Sequence, residues 1–475
     1  MKKLFIILLS FIFAFGACNN PVKAATGNAA VTEDVKVMAS NKSKKTKKTT
    51  AKKKTAKLTS KKKWKKVVTI TPSSKPCSKA YRGSTYKKVT KNTYTMRSYM
   101  ARFEKMGGGT LILKRGTYYL NNTVYVPSNV KIIFEDGVVL KKTFKRYKGK
   151  VKKKKVTYEP SLSMFMLCTP SIAYKSAKYK PGKYNKAYKK YNGVHDIQFI
   201  AKGDCVIDLK NVERKVKPLG AIAIEMGHNR NVTISGITFK NCYNGHFIEL
   251  DAGKNIHIKD CEFKNLSDRD GFREAINIDN PEIKGFYITW SSLDKTGNRD
   301  VYIDGCTFKN VVSGIGDHNI TKGYPHKNIN VSNCIFDNCA KYGIRANNWE
   351  NATIGSCTFT NFAYNTKKSY AKPIAGIRIN KLMVDNCLFE NTACVLLAGR
   401  MSYLKTDYIS ANNVYDNVFD PEIHVNGDVW EYDAETNAYI TKEEYDALAA
   451  NDDTDDQGAD EDDADSADGD AANVQ

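Results

Sequence analysis

The sequence lacks a long apolar run beyond its first residues, and it lacks the paired cysteines of metal-binding motifs. The only extended apolar stretch, from Leu4 to Ala17, is too short to remain as a membrane-spanning helix. Among 12 Cys and 7 His there is no Cys-x-x-Cys pair and no Cys/His cluster, so a zinc site is not indicated. Helix-turn-helix, zinc-finger and aromatic RNA-binding patterns are also missing, which argues against nucleic acid as a partner.

The N-terminus has the pattern of an export signal. Lys2 and Lys3 precede the apolar run, and small residues follow it, which predicts a signal peptide over 1–24. Cleavage after Val-Lys-Ala at 22–24 fits ordinary signal peptidase, whereas the sequence ending at Cys18 resembles a lipobox, in which that cysteine carries a lipid. Either route predicts a secreted, extracellular protein associated with the cell envelope. Attachment to a membrane is expected only in the second route, through the lipid at Cys18.

Each end of the chain is dominated by one sign of charge. Residues 41–66 hold 14 Lys and no acid, and residues 431–475 hold 17 acids and one Lys. Such segments bury too little apolar surface to fold, so a disordered Lys-rich linker over 25–80 and a mostly disordered acidic tail over 431–475 are predicted. Residues 67–430 retain 56 basic and 31 acidic residues, which favours an acidic polysaccharide or an anionic cell-wall polymer as partner.

An eleven-residue pattern recurs between these tails. It reads Asn or Asp, two residues, a β-branched residue, two residues, often Cys, one residue, an aromatic residue, one residue and Asn. Copies occur at 231–241, 255–265, 300–310, 328–338, 351–361, 381–391 and 407–417. Short alternating strands repeated every 20 to 50 residues are typical of a solenoid, and no helical apolar stripe fills the gaps. The sequence predicts an all-β fold, a single-stranded parallel β-helix, over 81–430.

Stacking the copies turns each position of the pattern into a column. Coils about 4.8 Å apart place the aromatic residues in an internal stack and the cysteines in one column of buried, reduced thiols. The closing asparagines are predicted to form an inward ladder in left-handed turn conformation. The three columns contain Phe239, Phe263, Phe308, Phe336, Phe359 and Phe389; Cys261, Cys306, Cys334, Cys357 and Cys387; and Asn241, Asn265, Asn310, Asn338, Asn361, Asn391 and Asn417.

A solenoid needs a cap on its exposed end. Met96, Tyr99, Met100 and Phe103 fall at helical spacing, which predicts an amphipathic capping helix over 93–106. The insertion 141–192 contains 16 Lys and is either a variable loop or a flap that attracts polyanions.

Residues 107–142 and the middle segments carry a family resemblance. GGGTLILKRGTYYLNNTVYVPSNVKIIFEDGVVLKK resembles the entry motif of the pectate-lyase-like superfamily, and GHFIELDAGKNIHIKDCEFKN, EAINIDNP and GIGDHN resemble its bacterial surface proteins. The resemblance implies a right-handed β-helix over about 107–430. The superfamily includes polysaccharide lyases, glycoside hydrolases, epimerases and proteins without known chemistry, so it does not settle the activity.

A second strand follows each closing Asn, and its polar columns define the predicted site. Because side chains alternate along a strand, these columns are expected to face outward as a groove about 20 Å long. The predicted catalytic residues are Asp279, Asp317, His318 and Arg345, and the predicted substrate-binding residues are Glu249, Asp251, Glu274, Asn277, Tyr342, Asn347, Trp349 and Arg378.

Two chemistries and one non-catalytic alternative fit this groove. A hydrolase uses two carboxylates flanking the bond, and the segments 277–280, 316–318 and 376–380 are loosely similar to motifs of polygalacturonase-like hydrolases, with Asn380 in place of Lys. A lyase uses a base and a cation, the latter supplied by an arginine or by Ca²⁺ held at Asp251 and Asp279, with Glu249 beside them. Solvated acids and paired arginines without catalysis are the third alternative.

The sequence therefore predicts a secreted, envelope-attached β-helix that binds and cleaves an acidic polysaccharide by a lyase or hydrolase reaction. The alternative is a non-catalytic surface adhesin or wall-binding scaffold. No cofactor other than Ca²⁺ is indicated.

Overall fold

The fold is taken from a computed structural model of the 475-residue chain. It describes residues 66–83, 85–144, 147–151, 154–158, 160–176, 187–209, 220–268, 273–282, 290–317, 319–362, 364–365, 369–392, 396–399, 406–410, 413–415, 429–433 and 438–441. The predicted signal peptide, Cys18, the 41–65 part of the Lys-rich run, His318 and most of the acidic tail lie outside these residues.

Three parallel sheets form the body, and each coil of the chain contributes one strand to each sheet. The first sheet begins with Val67–Ile70 and Gly109–Leu113, and every strand pairs in register with the next along the axis. It continues with Val130–Glu135, the first parts of His195–Asp208 and Arg230–Tyr243, Lys254–Lys259, Arg299–Asp304, His326–Ser332, Trp349–Gly355, Asn380–Asp385 and Thr406–Ser410.

The second and third sheets repeat this arrangement. The second contains Gly116–Leu120, Val138–Lys142, the second parts of His195–Asp208 and Arg230–Tyr243, Glu262–Ser267, the first parts of Thr307–Gly316 and Ile335–Arg345, Thr358–Phe362, Leu388–Thr392 and Asn413–Tyr415. The third contains Val124–Tyr125, Ser163–Met166, Ile222–Gly227, His246–Asp251, Glu274–Asp279, the second parts of Thr307–Gly316 and Ile335–Arg345, Lys372–Ile377 and Leu396–Gly399. Because connections between parallel strands of one sheet are right-handed, the three sheets wind into a right-handed parallel β-helix, as predicted.

The remaining elements lie outside the three sheets. Antiparallel pairs join Tyr147–Val151 to Lys154–Tyr158, Tyr364–Asn365 to Ser369–Tyr370, and Val429–Asp433 to Ala438–Thr441. The helices are α1 (Lys91–Met106), α2 (Pro170–Ser176) and a 3₁₀ turn at Lys79–Tyr81. Within the described residues, no helix combines the length and apolar character needed to cross a membrane.

Helix α1 covers the first coil, which confirms the capping helix predicted over 93–106. Its apolar side buries Met96, Met100 and Phe103 in the main core. The helix ends at Gly107, whose φ of 75° lies in the left-handed region that glycine adopts without strain. One expectation is wrong here: Val67–Ile70 was placed in the disordered linker, yet it pairs with Gly109–Leu113 and extends the first sheet below the helix.

The aromatic column forms a continuous stack inside the coil. The rings of Phe263, Phe308 and Phe336 lie 4.8–5.0 Å apart, and their planes are tilted by 11° or less. The same spacing continues from Phe336 through Phe359 to Phe389. This distance equals the strand spacing, so the backbone pairing itself sets the ring contacts.

The cysteine column is also present. Cys261, Cys306, Cys334, Cys357 and Cys387 are buried and free of disulfides. Each thiol lies 3.1–3.4 Å from the carbonyl oxygen two residues earlier and donates to it. The thiols therefore pack as small buried groups that point back to their own turn, as predicted.

The asparagine column forms a ladder, but it faces solvent rather than the interior. Asn265, Asn310 and Asn338 are exposed and have φ values of 52–59°, so the predicted left-handed conformation is confirmed. Asn338 donates from Nδ2 to Oδ1 of Asn310 at 2.8 Å. The inward orientation was wrong because the left-handed turn leaves the amide outside the coil. Asn417 lies outside the described residues.

Replacing Phe308 by Ala is expected to destabilise the fold by about 3–5 kcal/mol, because the ring loses stacked neighbours on both sides. The free energy of unfolding can be measured by urea titration. Ile335→Ala is the control: Ile335 is 44% exposed on the adjacent strand, and its truncation is expected to change stability by about 0.5 kcal/mol or less. Equal losses in both variants would contradict the internal stack.

Candidate functional site

The strands that carry the predicted site are covered on both faces. All six residues of His246–Asp251 and all six of Glu274–Asp279 are buried. The predicted outward groove is therefore wrong. The predicted residues with exposures of only 0–1% are Glu249, Asp251, Glu274, Asn277, Asp279, Asp317, Asn347 and Trp349.

The cover comes in part from an insertion that follows the third-sheet strand Glu274–Asp279. The Oγ of Ser291 lies 2.7 Å from Nε2 of His228, at the end of an earlier coil. Asn280 donates from Nδ2 to the carbonyl of Lys295 at 2.8 Å, and Asn298 donates from Nδ2 to the carbonyl of Asp279 at 2.9 Å. These bonds hold the insertion against the corner between the third and first sheets. Because alternation along a strand takes no account of such an insertion, it wrongly predicted that the site residues are exposed.

Three carboxyl groups meet at this corner. Asp251 and Asp279 are register partners on successive coils, and their oxygens and one from Glu249 all lie within 4.8 Å of one another. Asn277 donates from Nδ2 to Oε1 of Glu249 at 3.0 Å. Burial, and after it the neighbouring carboxyl groups, raises the pKa of Glu249 and the pKa of Asp251 well above their ordinary values.

A further carboxyl group, which the sequence reasoning missed, precedes Glu249 in the same column. Glu225 pairs with Glu249 in register and accepts a hydrogen bond from the Oγ of Ser163. Burial raises the pKa of Glu225 to about 7. The signal was present in the sequence, because Ile-Glu-Met at 224–226 repeats Ile-Glu-Leu at 248–250.

Asp317 faces a buried histidine and not a substrate groove. Its Oδ2 lies 3.8 Å from Nε2 of His326, and both side chains are fully buried. The backbone N–H of Asn298 donates to Nδ1 of His326 at 3.0 Å, so Nδ1 has no room for a proton. Burial lowers the pKa of His326 to about 3, and burial, then Asp279, raises the pKa of Asp317. His318 itself lies outside the described residues.

Arg345 is one of the predicted residues that remain partly accessible, together with Tyr342 and Arg378. Its Nη1 lies 3.6 Å from Oε1 of Glu274, and its guanidinium lies 5.1 Å from the ring centre of Tyr342. Gly316 is the register partner of Arg345 on the preceding coil and offers no side chain to block this reach. The side chain of Arg345 is 18% exposed and that of Glu274 is fully buried, so the Arg345–Glu274 pair lies at the edge of the buried carboxyl groups.

Two other predicted residues do not join the cluster. Trp349 was expected to be a stacking platform, but it begins a first-sheet strand, pairs in register with His326 and is buried in the core. Arg378 has φ 57° and is half-buried at the turn into the next coil. Among the described contacts, none links Arg378 to the carboxyl groups.

The buried cluster can hold protons or a cation, but a polymer cannot reach it. A second constellation, which the sequence reasoning did not single out, lies on the outer face of the first sheet. Arg230, Lys254, Arg299 and Lys327 are register partners on four successive coils. We call these four residues the basic row. Each is exposed or half-buried, and the row ends where Lys327 pairs with Glu350 at 2.7 Å.

Aromatic side chains accompany the basic row. Arg230 donates to the carbonyl of Tyr191 at 3.0 Å, and Nζ of Lys254 lies 5.9 Å from the Tyr191 ring centre. Three positions after the row, the rings of His257 and Tyr302 stack at 4.8 Å, and Tyr302 is 38% exposed. The row was visible in the sequence, because each cation directly precedes the first Asn or Asp of a repeat.

Three stacked parallel sheets and internal ladders define the chain as a right-handed parallel β-helix protein. Residues 222–381 match the family model described as right handed beta helix region. This confirms the resemblance at the level of the parallel β-helix fold, and the likeness to polygalacturonase-like hydrolases stays a prediction.

The chain is similar to a streptococcal protein. It is 23% identical over 344 residues to the plasmin and fibronectin-binding protein A of Streptococcus pneumoniae (strain ATCC BAA-255 / R6). That match covers 67% of this chain and 42% of the length of the curated relative.

Solved structures give likenesses at lower identity. The crystal structure of PfbA, a surface adhesin of Streptococcus pneumoniae, aligns with a TM-score of 0.49 and 15% identity over 79% of this chain and 94% of that one. The tailspike protein of E. coli bacteriophage HK620 in complex with a pentasaccharide aligns with a TM-score of 0.37 and 14% identity over 75% and 64% of the two chains.

The buried histidine generates a pH prediction. Because the pKa of His326 is about 3 in the fold and about 6.5 when exposed, its neutral form is stabilising above pH 6.5. This contribution is lost as pH falls from 6.5 toward 3, at up to about 1.4 kcal/mol per pH unit. Replacing His326 by Gln is expected to flatten the stability profile between pH 6.5 and 4 relative to the wild type, measured by urea midpoints. Parallel profiles for His326→Gln and wild type would contradict the assignment.

Proposed function

We propose that this protein is a cell-surface β-helix that binds an acidic polysaccharide along the basic row of its first sheet. The observation that carries the proposal is the register of Arg230, Lys254, Arg299 and Lys327, which places four cations on four successive coils. A single surface lysine does not indicate a binding site, but a cation repeated at the coil spacing forms a linear array parallel to the axis.

The array has the geometry that a linear polyanion requires. Strand pairing sets a step of about 4.8 Å, so the row extends for about 14 Å along the axis. Each exposed contact is weak on its own, at about 0.2–1 kcal/mol, and is screened by salt. Several contacts to one polymer add, which makes the expected binding depend on ionic strength and on the charge density of the polymer.

The surroundings of the row support a sugar as the ligand. Tyr302 and His257 provide stacked rings beside the cations, and aromatic faces with a polar edge suit the alternately polar and apolar surfaces of sugars. Lys66 and Lys131 line a cavity of about 360 Å³ on the same sheet toward the capping helix. The excess of 56 basic over 31 acidic residues in 67–430 attracts polyanions over a longer range.

The surface location in the proposal is supported by the sequence and by the relatives. An export signal is predicted over 1–24, and the similar structure from Streptococcus pneumoniae is described as a surface adhesin. The curated relative is named for binding plasmin and fibronectin. Both proteins therefore belong among the ligands to be tested, as the adhesin alternative to a polysaccharide.

Cleavage is not part of the proposal. Asp279 and Asp317, two of the predicted catalytic residues, are 1% and 0% exposed, whereas a polymer on the basic row contacts a different sheet. A lyase or hydrolase activity would require the third-sheet corner to open. Unsaturated products or new reducing ends from a polyuronate would show such an activity directly.

The triple variant Lys254→Gln/Arg299→Gln/Lys327→Gln is expected to bind polygalacturonate roughly 10- to 100-fold more weakly than wild type, because three charge contacts are removed. Binding can be measured by calorimetry or biolayer interferometry at several salt concentrations. The salt dependence of the remaining binding should also decrease, since fewer ion pairs form.

The second sheet offers a matched control. Lys240, Lys264 and Lys309 also lie in register on successive coils, so Lys240→Gln/Lys264→Gln/Lys309→Gln removes the same charge from another face. This variant should keep near wild-type affinity. Equal losses of affinity in the two triple variants would show that net charge alone attracts the polymer and would contradict binding along the basic row. Binding of plasmin or fibronectin without any polyuronate binding would favour the adhesin alternative.

A further inference from the structure

The carboxyl cluster at the corner between the third and first sheets has a composition that plain packing does not explain. Glu249, Asp251 and Asp279 bring three acids on two successive coils within 4.8 Å, and each is 0–1% exposed. Like charges at this distance in a buried site repel strongly unless a proton or a cation separates them.

Oxygen atoms in the cluster lack the hydrogen bonds that burial normally requires. Among the described residues, Oε2 of Glu249 and Oδ2 of Asp251 have no hydrogen-bond partner. The Oδ1 of Asn277 is also buried without a partner, while the Nδ2 of the same side chain is held by Glu249. Buried polar atoms are almost always paired, so unpaired oxygens from three adjacent side chains indicate an unassigned ligand.

The neighbouring histidine does not supply the missing proton. Its Nε2 lies 3.6 Å from Oε2 of Glu249, which is too long for a hydrogen bond. The same Nε2 lies 3.3 Å from Nη1 of Arg273 and accepts from it, and Nδ1 of His246 donates to the carbonyl of Glu274 at 2.7 Å. With Nδ1 bonded to Glu274 and Nε2 accepting from Arg273, His246 donates no hydrogen bond to Glu249.

The geometry points to a buried Ca²⁺ site formed by Glu249, Asp251 and Asp279, with Oδ1 of Asn277 as a neutral ligand. Ca²⁺ takes six to eight oxygen ligands in flexible geometry. One oxygen from each of the three carboxyl groups and one from the amide supply four of them, and waters would complete the shell. Mg²⁺ keeps several waters and demands an octahedral shell, which suits a closed, anionic pocket less well.

The ion would join two coils at the point where the chain turns between sheets. Asp279 is already fixed there, since it accepts from the backbone of Asn280 at 2.7 Å and from Nδ2 of Asn319 at 2.8 Å. A cation at this corner stabilises the stack and contacts no polymer. This inference is independent of binding on the basic row, and either can fail without the other.

The test uses the full chain, stripped with EDTA and exchanged into metal-free buffer at pH 7. Calorimetry with CaCl₂ should show one ion bound per chain. Thermal unfolding should shift upward by about 2–5 °C at Ca²⁺ concentrations near 100 times Kd, because the ion binds the folded state. MgCl₂ at the same concentration should give less than half that shift.

Isosteric variants identify the ligands. Asp251→Asn and Asp279→Asn should each weaken Ca²⁺ binding at least about tenfold and abolish the thermal shift, since each removes a charged ligand. Asp260→Asn is the matched control: Asp260 is exposed, has φ 54° and occupies a conformation that Asn favours. It should retain wild-type Ca²⁺ affinity.

Wild-type protein alone can overturn the proposal, even where a variant does not fold. Identical unfolding temperatures in EDTA and in CaCl₂ would exclude a specific site. Ca²⁺ binding that is unchanged in Asp251→Asn and Asp279→Asn would place the ion elsewhere. Variants that unfold at higher temperature than wild type, with no Ca²⁺ response in either, would show that the acids are held by protons.

Discussion

Backbone hydrogen bonding between successive coils is the constraint on which the rest of this structure depends. It fixes the register of the parallel strands and the spacing of about 4.8 Å between coils. Any residue type that recurs at one position of the repeat therefore forms a column along the axis of the coil. The stacked rings from Phe239 to Phe389, the buried thiols and the solvent-facing asparagines are three results of one register.

The same stacking has opposite consequences for charge inside and outside the coil. On the outer face of the first sheet, water and salt screen the repulsion between Arg230, Lys254, Arg299 and Lys327, so a row of cations costs little there, and Glu350 pairs with Lys327 at its end. At the covered corner, Glu249, Asp251 and Asp279 have no such screening and require neutralisation. The proposed polymer binding and the proposed ion binding thus fall on separate columns.

The sequence predicted what the repeat controls. The period, the phenylalanine stack, the reduced thiols, the left-handed asparagines and the helix before Gly107 all follow from residue types at fixed positions. The exposure of the site did not follow, because the insertion that contributes to its cover, described at 290–298, has no repeat and leaves no periodic signal. The basic row is readable in the sequence, since each cation precedes a repeat, but the site was predicted on the strand that follows the repeat.

The in-register stacking of coils is the central claim, and dipolar broadening between nitroxide labels tests it most directly. Labels at Lys254 and Lys327, two coils apart on one column, should lie about 10 Å apart and broaden each other's electron paramagnetic resonance spectrum strongly. A doubly labelled spectrum equal to the sum of the two singly labelled spectra would place these residues in different columns and contradict the account.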